Sequence, residues 1–342
     1  MKYLYLLLLL PLCWACDTPA DTTSAEGMLA DTTSLAGRLQ SLADAIKADP
    51  NNRELYLERA ALFRSTAKWP QAMADLDRVL RLDTMDAEAL ALKGLYNLDQ
   101  AKFNEAYDNY ARCVQNDPED VTCLLGQAEI ELLLNKYSEA IELINRALRA
   151  DEFATKGYWL KGRYYKELGD TTLARSSYAT VVEIDPTYAD AYIQLGLLWA
   201  EERPELSEGY YRSAIKYNPA STDALYNLAK LMQDQAGDDQ AKLYEAMEVY
   251  AQLEEQDPMD ARPHYNRGFI HLEYFQHYDT AATYFGQAIE RYGLYHQAYY
   301  NRGLCMESMD DLVGAERDYR QALTIEPTYD PAALALARVL GE

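Results

Sequence analysis

Few side chains in this 342-residue chain are spaced for chemistry. All four histidines fall in its last third, at His264, His271, His277 and His296. His264 and His271 are seven residues apart and would share a helix face, a spacing that suits a metal pair. Both stand where corresponding segments of the chain carry Tyr, Leu, Phe or Trp, so they read as packing residues. There is no Gly-rich phosphate loop, no HExxH and no GxSxG. No catalytic residue, metal or cofactor is therefore expected, and no small-molecule substrate. Cys113 and Cys123 flank Asp117–Pro118 almost symmetrically. Antiparallel helices would bring them together, either as a disulfide or as two buried thiols, and both readings stand. Cys305 reads as a small buried apolar residue.

The positioning elements emerge from a tetrapeptide written twice. YNRG occupies Tyr265 to Gly268 and Tyr300 to Gly303. Its small last residue belongs to a longer series: Ala60, Gly94, Ala128, Gly162, Gly196, Ala229, Gly268 and Gly303, at intervals of 34, 34, 34, 34, 33, 39 and 35. A second small residue follows twelve later in Ala72, Ala106, Ala140, Ala174 and Ala315, with Ser207, Ala246 and Ala281 displaced by small insertions or deletions. Four further on stands a bulky residue (Leu76, Tyr110, Ile144, Tyr178, Tyr211, Tyr250, Phe285, Tyr319), and three beyond that a smaller one. Steps of four and three place all three on one helical face. Proline at 118, 186, 219, 258 and 327 breaks the chain between units, because it lacks the N–H a continuing helix needs. Each unit reads as helix, short turn, helix, break.

This pattern resembles the tetratricopeptide repeat. The resemblance implies an all-α fold, a right-handed α-solenoid superhelix of about eight units. They span 53–329 and start near 53, 87, 121, 155, 189, 222, 261 and 296. A half-repeat helix at 34–50 and a capping helix at 330–342 would close the two ends. The long interval contains QDQAGDDQAKLYEA at 233–246 and reads as a lengthened turn.

The first fifteen residues, MKYLYLLLLLPLCWA, carry one Lys and an apolar run too short to span a bilayer comfortably. They read as an export signal at 1–15. The Cys16 that follows resembles the lipobox of bacterial lipoproteins, with Ala15 in place and Cys13 and Trp14 departing from the usual residues. The resemblance implies cleavage before Cys16, its lipidation, and export to the bacterial envelope at a periplasmic or outer-membrane face. Residues 16–33, in which ADTTS occurs and then begins again, read as a flexible tether.

A formal net charge of −23 argues against a nucleic-acid partner, which needs Lys and Arg against phosphates. A protein or extended peptide is expected instead, bound in the concave groove that the first helices line. Asn227, Asn266 and Asn301 fall in register in three successive units, similar to the asparagine ladder of some superhelical tetratricopeptide proteins. An amide there could pair with a peptide backbone, or merely with a neighbouring helix. Tyr226, Tyr265, Tyr300, Trp159 and Phe269 supply apolar platforms, and Arg163, Lys166 and Lys230 supply cations beside them. The full Lys/Asn clamp that binds chaperone tails is not found. The expected function is a non-enzymatic scaffold tethered to the membrane by lipid. The alternative is a fixed structural subunit of an envelope complex for secretion, outer-membrane assembly or cell-wall work.

Overall fold

The computed structural model describes residues 34–341. The expected signal at 1–15, the lipidated Cys16 and the tether to residue 33 lie outside the described residues. Among the described residues there are helices and turns but no strand. The chain divides into two compact units, one running through Tyr96 and one from Asn97.

The first unit holds α1 (Leu35–Ala48), α2 (Arg53–Ser65), α3 (Trp69–Leu82) and most of α4 (Ala87–Asp99). Ser34 caps α1 by accepting from the Gly37 N–H, and Asn52 caps α2 by accepting from Leu55. Its core gathers Tyr56, Ala60, Ala72, Leu76 and Val79, with Ile46 of α1 packed against them. Ala60, Ala72, Leu76 and Val79 are the residues the repeat pattern marks in this unit.

The second unit continues the same alternation. It contains α5 (Phe103–Asn116), α6 (Val121–Leu133), α7 (Tyr137–Ala150), α8 (Thr155–Glu167), α9 (Thr171–Ile184), α10 (Ala189–Trp199) and α11 (Pro204–Tyr217). It goes on through α12 (Thr222–Ala236), α13 (Gln240–Gln256), α14 (Arg262–Ile270), a π-helical turn His271–Phe275, α15 (Tyr278–Arg291), α16 (His296–Ser308), α17 (Leu312–Ile325) and α18 (Asp330–Leu340). The bulky position of a second helix closes onto the small position of the first. A Cβ added to Gly162 would lie 2.6 Å from the Tyr178 ring, and one added to Gly303 would lie 2.6 Å from the Tyr319 ring. Aliphatic Leu76 and Ile144 belong to units whose small residue is alanine, where less room is needed. Between units, an aspartate after the second helix turns the chain. Asp117, Asp151, Asp185 and Asp257 each accept from the backbone N–H two residues on.

Two irregularities interrupt the alternation, and the first resolves differently from the expectation. The extra residues around 233–246 do not lengthen the turn, which remains the three residues 237–239. They extend the helices: α12 has 15 residues and α13 has 17, against 13 and 14 in α2 and α3. The extension is held from inside, where the buried Tyr250 hydroxyl donates to Gln233 at 2.9 Å. The single extra residue between Gly268 and Ala281 is taken up by the π-helical turn, which adds a residue without breaking the helix.

Candidate binding face

First helices α8, α12, α14 and α16 carry every residue expected to line a groove. Trp159 of α8 lies with its ring centroid 5.2 Å from Tyr178 and 5.3 Å from Tyr188. The cations beside it are already engaged. Lys166 donates to Gln194 at 2.8 Å, and Arg163 stands 3.9 Å from Glu129, which also pairs with Lys156. On α12, Tyr226 is half-buried beneath the Arg262 guanidinium at 4.5 Å, and Lys230 pairs with Asp234 one turn on. On α14, Tyr265 stacks on Tyr295 at 4.7 Å, and burial raises its phenol above the usual range. Phe269 packs into the local core rather than standing free. Tyr300 of α16 meets Tyr319 and Tyr329.

The asparagine register does not form an open ladder. Asn266 is 6% exposed and donates to the Arg262 carbonyl in its own helix. Asn301 is likewise 6% exposed and donates to the Tyr265 hydroxyl at 3.0 Å. Asn227 is half-buried. Equivalent spacing therefore gives three different environments: Asn266 bonds within its own helix and Asn301 to a neighbouring one. The rings that complete the aromatic row come from turns that the sequence reading passed over. Tyr188, Tyr295 and Tyr329 each stand just before or at the start of a first helix, and that recurrence was the available signal.

The arginine of YNRG has a structural task in both copies. Arg302 makes a paired contact with Asp318, at 2.7 and 3.0 Å. Arg267 binds Glu254 at 3.0 Å and covers the Tyr284 ring at 4.6 Å. Glu254 is also 3.4 Å from His264 Nε2, whose ring is 1% exposed. Burial lowers the His264 pKa, against the pull of Glu254. His271 lies 12° from parallel over Tyr284, and burial lowers it as well. The two histidines therefore occupy packed positions in one repeat.

Cys113 and Cys123 form a disulfide, with their Cα atoms 6.1 Å apart. It joins the end of α5 to the start of α6. Asp120 lies close to both sulfurs, but it caps α6 by accepting from the Cys123 N–H at 2.7 Å. With the sulfurs joined, neither is a thiolate ligand. Buried Cys305 has its thiol pushed up to about 12 by desolvation, which removes nucleophilic character near neutral pH.

Stacked helix-turn-helix units with small-to-bulky interlocking define an all-α repeat protein. More particularly, the chain carries tetratricopeptide repeats: models of that family match residues 91–155, 155–188 and 268–331. Human tetratricopeptide repeat protein 16 is 26% identical over 216 residues, which cover 60% of this chain and 22% of that protein. Human DnaJ homolog subfamily C member 3 is 26% identical over 214 residues, covering 63% of this chain and 39% of that one. The chain thus spans less than half the length of these relatives. The crystal structure of the APC/C hetero-tetramer Cut9-Hcn1 has a similar fold, with a TM-score of 0.54 at 17% identity over 91% of this chain and 61% of that one. Repeats of this kind generally mediate contacts between proteins.

Proposed function

We propose that the protein is a non-enzymatic interaction scaffold, tethered to the bacterial envelope through lipidated Cys16, that holds a partner segment along its first helices. The observation that carries this reading is the row of partly exposed rings on those helices in the second unit, from Trp159 through Tyr226 and Tyr265 to Tyr300. Rigid aromatic surfaces bind partners at low entropic cost. Internal bonds to Lys166, Lys230, Asn266 and Asn301 leave ring faces and aliphatic groups as the chief means of contact. The Cys113–Cys123 bond supports an oxidising compartment, as export would supply.

The alternative, a fixed subunit of an envelope complex, is favoured by one feature away from this row. Leu294, 61% exposed, Met259 and Tyr292 border a cleft of about 640 Å³ between two inter-repeat turns. Such a cleft suits broad contact outside a groove.

Leu197 on α10 is 42% exposed, so Leu197→Asp disturbs the first-helix face with little cost to folding. The proposal expects this variant, folded to the same helicity, to lose the partner recovered with the parent protein after in-cell cross-linking. Unchanged recovery would reject the groove in favour of the alternative. Membrane fractionation of Cys16→Ser tests the anchor separately: release supports it, and retention contradicts it.

A further inference from the structure

The first-helix face of the second unit carries an imbalance of charge that its own residues do not neutralise. On α12, and along α14 into the π-helical turn that follows it, one stripe repeats at steps of three, four and four: Asp223, Tyr226, Lys230, Asp234, then Arg262, Tyr265, Phe269, Glu273. The cations of this stripe are engaged, Lys230 with Asp234 and Arg262 with Asp260. The acids are in excess. Exposed Asp190, in the first turn of α10, and exposed Glu201, in the turn just after that helix, have no ion pair, and neither do exposed Asp223 and Glu273. Between these carboxylates lie Leu197 and the rings of Tyr226 and Tyr265. The molecule already seats one guanidinium in such a setting: Arg262 lies 4.5 Å over Tyr226, its charge held chiefly by Asp260 and to a lesser extent by Tyr226 and Asp223.

We infer that this face takes an extended protein segment bearing arginine side chains. Resting on the groove reading, the inference names the chemistry of the partner. Guanidinium groups of the segment would lie against the exposed parts of the Tyr226 and Tyr265 rings and the aliphatic surface at Leu197, while the four unpaired carboxylates along the rim receive their charge. An acidic segment would meet an excess of like charge here, with Lys230 and Arg262 already paired, and is disfavoured on the same face.

Fluorescence anisotropy on the full chain tests this with two labelled peptides of equal length, one alternating Arg with Gly and Ser, the other with Glu in place of Arg. The Arg peptide is expected to bind and the Glu peptide not to. Combining Asp190→Asn, Glu201→Gln, Asp223→Asn and Glu273→Gln is expected to weaken binding by about tenfold, a change that salt reproduces. A charge-matched control, Glu119→Gln, Glu139→Gln, Glu142→Gln and Glu152→Gln, removes four exposed acids from outside this face and is expected to leave binding unchanged. Equal weakening by both sets would mean that overall charge, not this face, attracts the peptide, and would overturn the inference. So would equal binding of the two peptides. If Leu197→Asp abolishes recovery of the cellular partner while the Arg peptide fails to bind, the groove stands and only the assigned chemistry falls.

Discussion

Arg302, the third residue of the second YNRG, serves the fold and not a ligand. Its guanidinium grips Asp318, a carboxylate only 2% exposed. Removing one partner strands the other charge out of water, so Arg302→Ala should lower stability by about 3 kcal/mol in urea unfolding. A change below about 0.5 kcal/mol, the size of a surface pair, would contradict the assignment. Buried histidines make a second prediction at this scale. Desolvation lowers His264 and His271 in the folded chain below their unfolded value near 6.5. The unfolded chain therefore takes up more protons as pH falls through about 6.5, and folding stability present above that pH is lost below it. Thermal unfolding should shift to lower temperature from pH 7.5 to 5.5, and His264→Gln should flatten the shift. An equal shift in that variant would assign the effect to other groups. The asparagines show what spacing withholds at this scale. It places Asn227, Asn266 and Asn301 on corresponding helical positions, but what each amide meets depends on the neighbouring helix. At Asn301 that neighbour is a hydroxyl 36 residues away.

Among the helices, the pattern was legible because the same spacing recurs in every repeat. At Gly162–Tyr178, Gly196–Tyr211 and Gly303–Tyr319 a ring on the second helix closes onto a small residue of the first, and eight recurrences of the spacing outweigh any ambiguous position. The irregular stretch was less legible because composition misled. Gly237 and its neighbouring aspartates read as turn, whereas the inserted residues gain more as helix, burying Gln233, Ala236 and Leu243. The Cys113–Cys123 bond depended on Cβ directions that spacing does not fix, so two buried thiols and a disulfide both stood as readings of the spacing, and the placed helices give the disulfide. This bond spans a separation of 10 residues, and closing so short a loop in the unfolded chain is worth about 3 kcal/mol. Reduction should lower the urea midpoint accordingly, and thiol titration of the denatured protein should gain two groups on reduction of this bond. An unchanged midpoint with both thiols already titratable would contradict the linkage.

At the scale of the molecule, the repeats of the second unit supply a face of first helices, and its side chains decide what that face can hold. Much of the polar chemistry expected of it is consumed internally, leaving rings, aliphatic groups and unpaired carboxylates. Fold and period were legible from the chain alone, whereas the choice between groove and loop edge was not, since both expose apolar side chains. A photo-cross-linking residue placed at Leu197 or at Leu294, with the full chain in cells, separates them directly. The account predicts a discrete partner cross-linked from position 197 and little from 294. Cross-links from 294 with none from 197 would contradict it.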